Sequence, residues 1–226
     1  MQNAGFFGKH PAFGDFISHG LPSDLRDEVQ DWLTATLAQS QQSLGSSWSA
    51  VWDTASPIRF WLGGNVLRTC NGIKGVIVPS RDKVGRRFPL VVLARFAFDE
   101  LPPILQPQQQ LYDAWEQEIA LSIASDGQKV GNLLPLIGIS EASQPLAPDT
   151  LWATNPNADI SELLKAVGAV DHTRAAEGRS YWWVKPNLAR QGAVWTCSGL
   201  PEADAMVWLL SGVAQPDPAG DRGAQS

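Results

Sequence analysis

The chain has 226 residues, 44% of them hydrophobic and 18% charged, a balance that supports a buried core and excludes wholesale disorder and collagen-like or coiled-coil architectures. Its 17 basic and 23 acidic side chains give a net charge of -6, which repels phosphate backbones and anionic lipid, so neither nucleic acid nor a membrane is an expected partner. The two cysteines, Cys70 and Cys197, stand in no metal-ligand or redox spacing and read as reduced thiols.

Taken in order, Gly5 to Lys9 reads as a short apolar strand and His10 to Pro22 as a loop rich in turn residues. No basic segment followed by an apolar stretch opens the chain, so a cytoplasmic location is expected. Ser23 is placed to cap a helix whose stripe is Leu25, Val29, Trp32, Leu33 and Leu37, with Gly45 just beyond it. Ser47 to Asp53 adds a short helix, and Ile58 to Leu62 a strand ended by Gly63 and Gly64. Gly75 to Pro79 and Phe88 to Phe96 read as a hairpin around a polar turn, Ser80 to Arg87. The longest apolar stretch, Phe88 to Phe98, falls well short of the roughly 20 residues a spanning helix needs.

Pro107 suits a first helical turn, and Leu111, Trp115, Ile119 and Ile123 repeat with helical spacing. The Ser-, Pro- and Gln-rich segment 138–150 reads as a surface connection. Asp159 and Glu162 then open a capped helix. Ser180 to Lys185 and Ala193 to Cys197 form a strand pair, and Glu202 to Leu210 a closing helix stopped by Gly212. The expectation is one domain over residues 1–212 and a disordered tail over 213–226. Helices set between groups of strands predict an α/β fold with a mixed sheet.

Catalytic and cofactor signatures are scarce. Gly8-Lys9 lacks the earlier glycine and following Ser/Thr of a phosphate loop, and no G-x-G-x-x-G follows a strand, so no cofactor is expected. Ser80-Arg81-Asp82-Lys83 fits S-x-x-K without its companion motifs. A serine hydrolase centred on Ser80 would need a histidine within hydrogen-bonding reach. His10 and His19 bracket Asp15, but nine residues of loop separate the two histidines, against any helical or zinc-type ligand spacing. A small-ligand-sensing module is neither supported nor excluded.

Two features suit a protein partner instead. Arg81, Lys83, Arg86 and Arg87 cluster around Asp82 in an otherwise acidic chain; they read either as a solvated turn or as a contact for an acidic or phosphorylated surface. Trp182 and Trp183 are strand neighbours and point to opposite sheet faces. Either both faces are covered, or one indole is an exposed anchor.

The blocks Gly5-Phe6-Phe7-Gly8-Lys9-His10-Pro11 with Gly14-Asp15-Phe16, and Pro79-Ser80-Arg81-Asp82-Lys83-Val84-Gly85-Arg86-Arg87-Phe88-Pro89-Leu90, resemble the TagF (ImpM) family of type VI secretion accessory proteins. Tyr181-Trp182-Trp183 and Gly199-Leu200-Pro201 are similar to a later family segment. The resemblance implies a three-layer α/β/α sandwich and a non-enzymatic cytoplasmic protein. It further implies a post-translational negative regulator that binds and sequesters the system's forkhead-associated scaffold protein. Carried onto this chain, the matching polar positions are Lys9, Asp15, Ser80, Asp82 and Arg86. Gly85 is expected to supply a positive φ, Asp82 to accept turn amides, and Asp15 with Arg86 either to form an ion pair between the blocks or to face the partner.

Overall fold

Apolar runs of five or six residues, bounded by glycine, proline or polar turns, set out the strands of this protein. The computed structural model describes residues 4–70, 72–96, 100–125, 160–187 and 191–212. The strands are β1 (Ala4–Gly8), β2 (Ile17–His19), β3 (Ile58–Leu62), β4 (Ile73–Val78), β5 (Leu90–Arg95), β6 (Arg179–Val184) and β7 (Ala193–Ser198). They form one sheet in the order β2-β1-β5-β4-β3-β6-β7. The helices are α1 (Ser23–Leu44), α2 (Trp48–Thr54), α3 (Gln109–Ala124), α4 (Ile160–Ala175) and α5 (Ala203–Ser211), with a 3-10 turn at Gly45–Ser47 joining α1 to α2.

Every neighbouring pair in this sheet is antiparallel, which corrects the expected mixed sheet. A helix between two strands imposes a parallel pair only when the chain re-enters beside the strand it left. Here β2 and β3, which flank α1 and α2, are far apart in the strand order, and so are β5 and β6, which flank α3 and α4. The remaining neighbours β1–β2, β3–β4, β4–β5 and β6–β7 are consecutive strands.

Alternation sends successive side chains to opposite faces. Phe7, Phe60, Leu62, Val91, Leu93 and Trp182 pack on one face with α1, α2 and α5 through Leu25, Leu33, Trp52 and Met206. Phe6, Trp61, Val76, Val92 and Trp183 pack on the other with Tyr112, Trp115 and Ile119 of α3. Because both faces are covered, β3 is buried throughout and β4 and β5 are buried except at their last residues, Val78 and Arg95, as expected for near-continuous apolar runs.

The helical stripes fall where the periodicity places them: Leu25, Val29, Leu33 and Leu37 are buried on α1 and Trp115 and Ile119 on α3. Gly45 ends α1 and Gly212 ends α5, both at positive φ. Details differ at the starts. Ser23 is the first residue of α1 and makes no side-chain cap, and Pro107 lies two residues before α3. Strand β2 lies inside the stretch read as loop; it is three residues long and held by β1 alone. Asp159, the connection 138–150 and the tail 213–226 lie outside the described residues. No helix among the described residues is long and apolar enough to cross a membrane.

Candidate functional site

The pairing of β1 with β5 brings the first sequence block against the second. Gly8 stands opposite Leu90 at φ 134, and a Cβ there would lie 2.0 Å from the Pro89 carbonyl oxygen, so only glycine fits the crossing. One residue on, Lys9 donates its backbone N–H to the Pro89 carbonyl at 3.2 Å and turns its side chain under the β4–β5 turn.

That turn is built around Asp82. Its Oδ1 accepts the backbone N–H groups of Val84 (3.1 Å) and Arg86 (2.9 Å), as expected for a short carboxylate organising its own turn. Gly85 takes φ 87, also as expected. The Oδ2 atom accepts Nε of Arg86 at 2.6 Å and faces Nζ of Lys9 at 3.1 Å. The ion pair between the blocks is therefore Lys9 with Asp82, not Asp15 with Arg86. Asp15 is exposed and its Oδ1 accepts the N–H of Phe16, while Arg86 reaches across to donate Nη2 to the Gly14 carbonyl at 2.6 Å.

Burial works against the Asp82 charge. The Arg86 backbone N–H, the Arg86 guanidinium and the Lys9 ammonium outweigh it and hold the carboxyl well below the usual carboxylate range. A carboxylate depressed in the folded state stabilises the fold above its unfolded pKa of about 3.9, and that contribution fades as pH falls through the folded value. Asp82→Asn is therefore expected to be less stable than wild type at neutral pH, with the gap closing below about pH 4. Urea denaturation of both proteins across that range checks it, and a constant gap would show that the carboxylate charge is immaterial.

The clamp fixes a second loop as well. The Lys83 backbone N–H donates to the Phe13 carbonyl at 2.8 Å, Lys9 lies over the Phe16 ring, and Phe16 meets Phe88 edge-on at 4.9 Å. The result is a single lip of two loops whose clamp is internal and whose display is apolar and basic. Lys9, Ser80 and Asp82 are buried, whereas Phe13, Phe16 and Val84 are 38%, 42% and 71% exposed, and Arg81 and Lys83 project to solvent. Of the polar positions put forward from the sequence, Lys9 and Asp82 thus build the site, Arg86 both builds and borders it, and Asp15 lies exposed on it. Phe13 and Val84 were not singled out; their only signal is a large apolar residue inside a polar turn.

Ser80 is also internal. Its carbonyl accepts the indole N–H of Trp52 at 3.0 Å and the N–H of Phe88, while its Oγ is buried with no hydrogen-bond partner. The histidine that a hydrolase reading requires is not hydrogen-bonded to it. His10, fully buried, accepts the Ala12 N–H at Nδ1 and sits 3.4 Å from Ser122 Oγ through Nε2. No group of three or more His, Cys, Asp or Glu residues placed to hold a metal ion occurs among the described residues.

The two tryptophans correct the exposed-anchor idea. Trp182 is 0% and Trp183 8% exposed. Trp182 packs between Trp32 and Phe60; Trp183 meets Tyr112 and donates to Gln109. Neither is available as a partner-facing hot spot.

The chain is thus an antiparallel α/β domain that clamps two loops into one apolar and basic lip. The chain matches the TagF N-terminal domain family, described as type VI secretion system-associated, over residues 5–134, and it belongs to that family. Among solved structures it is similar to the crystal structure of PA0076 from Pseudomonas aeruginosa PAO1, determined at 2.05 Å. The TM-score is 0.70 with 24% identity, over 95% of this chain and 97% of that one; at that identity the likeness shows the fold alone. No curated protein matches the chain.

Proposed function

We propose that this protein is a cytoplasmic, non-enzymatic regulator of a type VI secretion system that restrains assembly by binding and sequestering the forkhead-associated scaffold protein of that system. One observation carries the reading: the two sequence blocks that mark the family spend Lys9, Asp82 and Arg86 on a clamp, and the clamp presents Phe13, Phe16 and Val84 beside free cationic side chains. Exposed apolar residues held rigidly and rimmed by charge mark protein-interaction sites. The three-layer α/β/α reading of the fold agrees with this, because helices pack on both sheet faces and leave loops at the strand ends to carry recognition.

The test is direct. The purified chain is expected to bind the purified scaffold protein from its own host, and Val84→Asp is expected to weaken binding by about tenfold or more by adding a charge at an interface centre. Because Val84 is exposed, the variant should keep its stability within about 0.5 kcal/mol. Absence of any complex with wild type, measured by calorimetry with both proteins folded, would sink the reading.

A further inference from the structure

Behind the lip, α1, α2 and the β4–β5 turn enclose a groove of about 380 Å³. Leu37 and Ala38 of α1, Trp48 of α2 and Phe88 give it an apolar floor, and Arg86 and Arg87 stand along one wall. We propose that this groove seats an acidic peptide segment of the partner, with one large apolar side chain on the floor and carboxylates against the two arginines. The assignment of that segment to the scaffold protein rests on the function proposed above; the chemistry of the groove does not.

Charge and hydrogen-bond capacity select the occupant. The chain carries a net charge of -6, yet the β4–β5 turn beside the groove brings together Arg81, Lys83, Arg86 and Arg87, the last two lining the groove itself, with only Asp82 and Asp53 as their ion-pair partners among the described residues. Arg81 and Lys83 are exposed and make no ion pair among the described residues. A positive island attracts a negative segment, and two such islands brought face to face repel each other.

The arginines are held in place but not exhausted. Arg86 uses Nε on Asp82 and Nη2 on Gly14, and Arg87 uses Nε and Nη2 on Asp53, which leaves three N–H groups of each guanidinium, two on Nη1 and one on Nη2, without an acceptor among the described residues. These remaining N–H groups suit the oxygens of a carboxylate. Fixing both guanidiniums in advance also lowers the ordering cost of binding. The groove falls at the small end of ligand-site volumes, enough for one apolar side chain and its backbone.

Ala38 gives a clean test, because it lies exposed on α1 at the groove, where substitution perturbs folding little. The probe is a fluorescein-labelled peptide of sequence EDLFED titrated into the full chain and followed by anisotropy. Expected are saturable binding to wild type, loss of about tenfold in affinity for Ala38→Glu, a gain for Ala38→Lys, and weakening as salt rises from about 50 to about 500 mM. Lack of saturable binding by wild type, or equal affinity for the Glu and Lys variants, overturns the proposal. A phosphoserine version of the peptide that binds more than about tenfold tighter overturns the carboxylate assignment. Running the same variants against the scaffold protein separates the two conclusions. Scaffold binding unaffected by Ala38→Glu removes the groove and leaves the proposed function standing. Peptide binding without scaffold binding does the reverse.

Discussion

Replacing Trp182 by alanine is expected to lower stability by about 3–5 kcal/mol, and to lower Tm by roughly 10 °C for a chain of this length. The indole is fully buried in the centre of β6, stacked on Phe60 at 5.3 Å between ring centroids and tilted against Trp32 at 5.2 Å. Its Nε1 has no hydrogen-bond partner, so the loss is one of packing and buried apolar area alone. Trp182→Phe, which keeps a ring and deletes the unsatisfied N–H, should therefore recover most of it. Thermal and denaturant unfolding of the three proteins decides the matter. A Trp182→Ala cost within about 0.5 kcal/mol would place the indole outside the core, and the exposed-anchor reading would return.

The tryptophan case shows how far pattern carries. Period-two alternation is enough to say that Trp182 and Trp183 face opposite ways, and the stripes of α1 and α3 are enough to supply a layer for each. What alternation does not encode is which strands are neighbours. The mixed-sheet expectation took local order for spatial order, and the pairings β1–β5 and β3–β6 join strands remote in the chain. Strand β2 escaped because Ile17-Ser18-His19 has neither length nor apolar pattern; it exists through β1.

The candidate site divides in the same way. The turn chemistry of Asp82 and Gly85 is local and was legible. The Lys9–Asp82 link depends on β1 lying beside β5, and the groove depends on α1 and α2 packing beneath the turn, so neither follows from spacing. Phe13 and Val84 look like core residues by type. Only the clamp, by occupying the interior with Lys9 and Asp82, explains why they remain outside.

Loss of Arg59 is the other large effect expected. This guanidinium belongs to the second residue of β3 and is fully buried, and α3 answers it with three acceptors spaced along one stripe. Nε donates to Glu116 and Nη1 to Gln109, each at 2.6 Å, and Nη2 donates to Asp113. Burial disfavours the guanidinium charge, but the bonds to Glu116 and Asp113 outweigh it and raise its pKa. The Tyr112 ring covers the group, 5.7 Å from centroid to guanidinium carbon. Arg59→Ala removes the hub, opens a cavity under Tyr112 and strands Glu116 at the sheet surface, at a cost of about 3 kcal/mol or more. Asp113 loses less, since Lys185 also pairs with it at 2.7 Å. Arg59→Met refills much of the volume but still strands Glu116, so it should recover only the packing part of that cost, whereas Arg59→Met combined with Glu116→Leu, an apolar replacement of the pair itself, should fall well short of it. Hydrogen exchange adds the spatial prediction. Protection should drop in α3, which this network ties to the sheet, while α1 on the opposite face stays protected. Uniform loss across both helices would mean that Arg59 supports the whole core and not the docking of one helix.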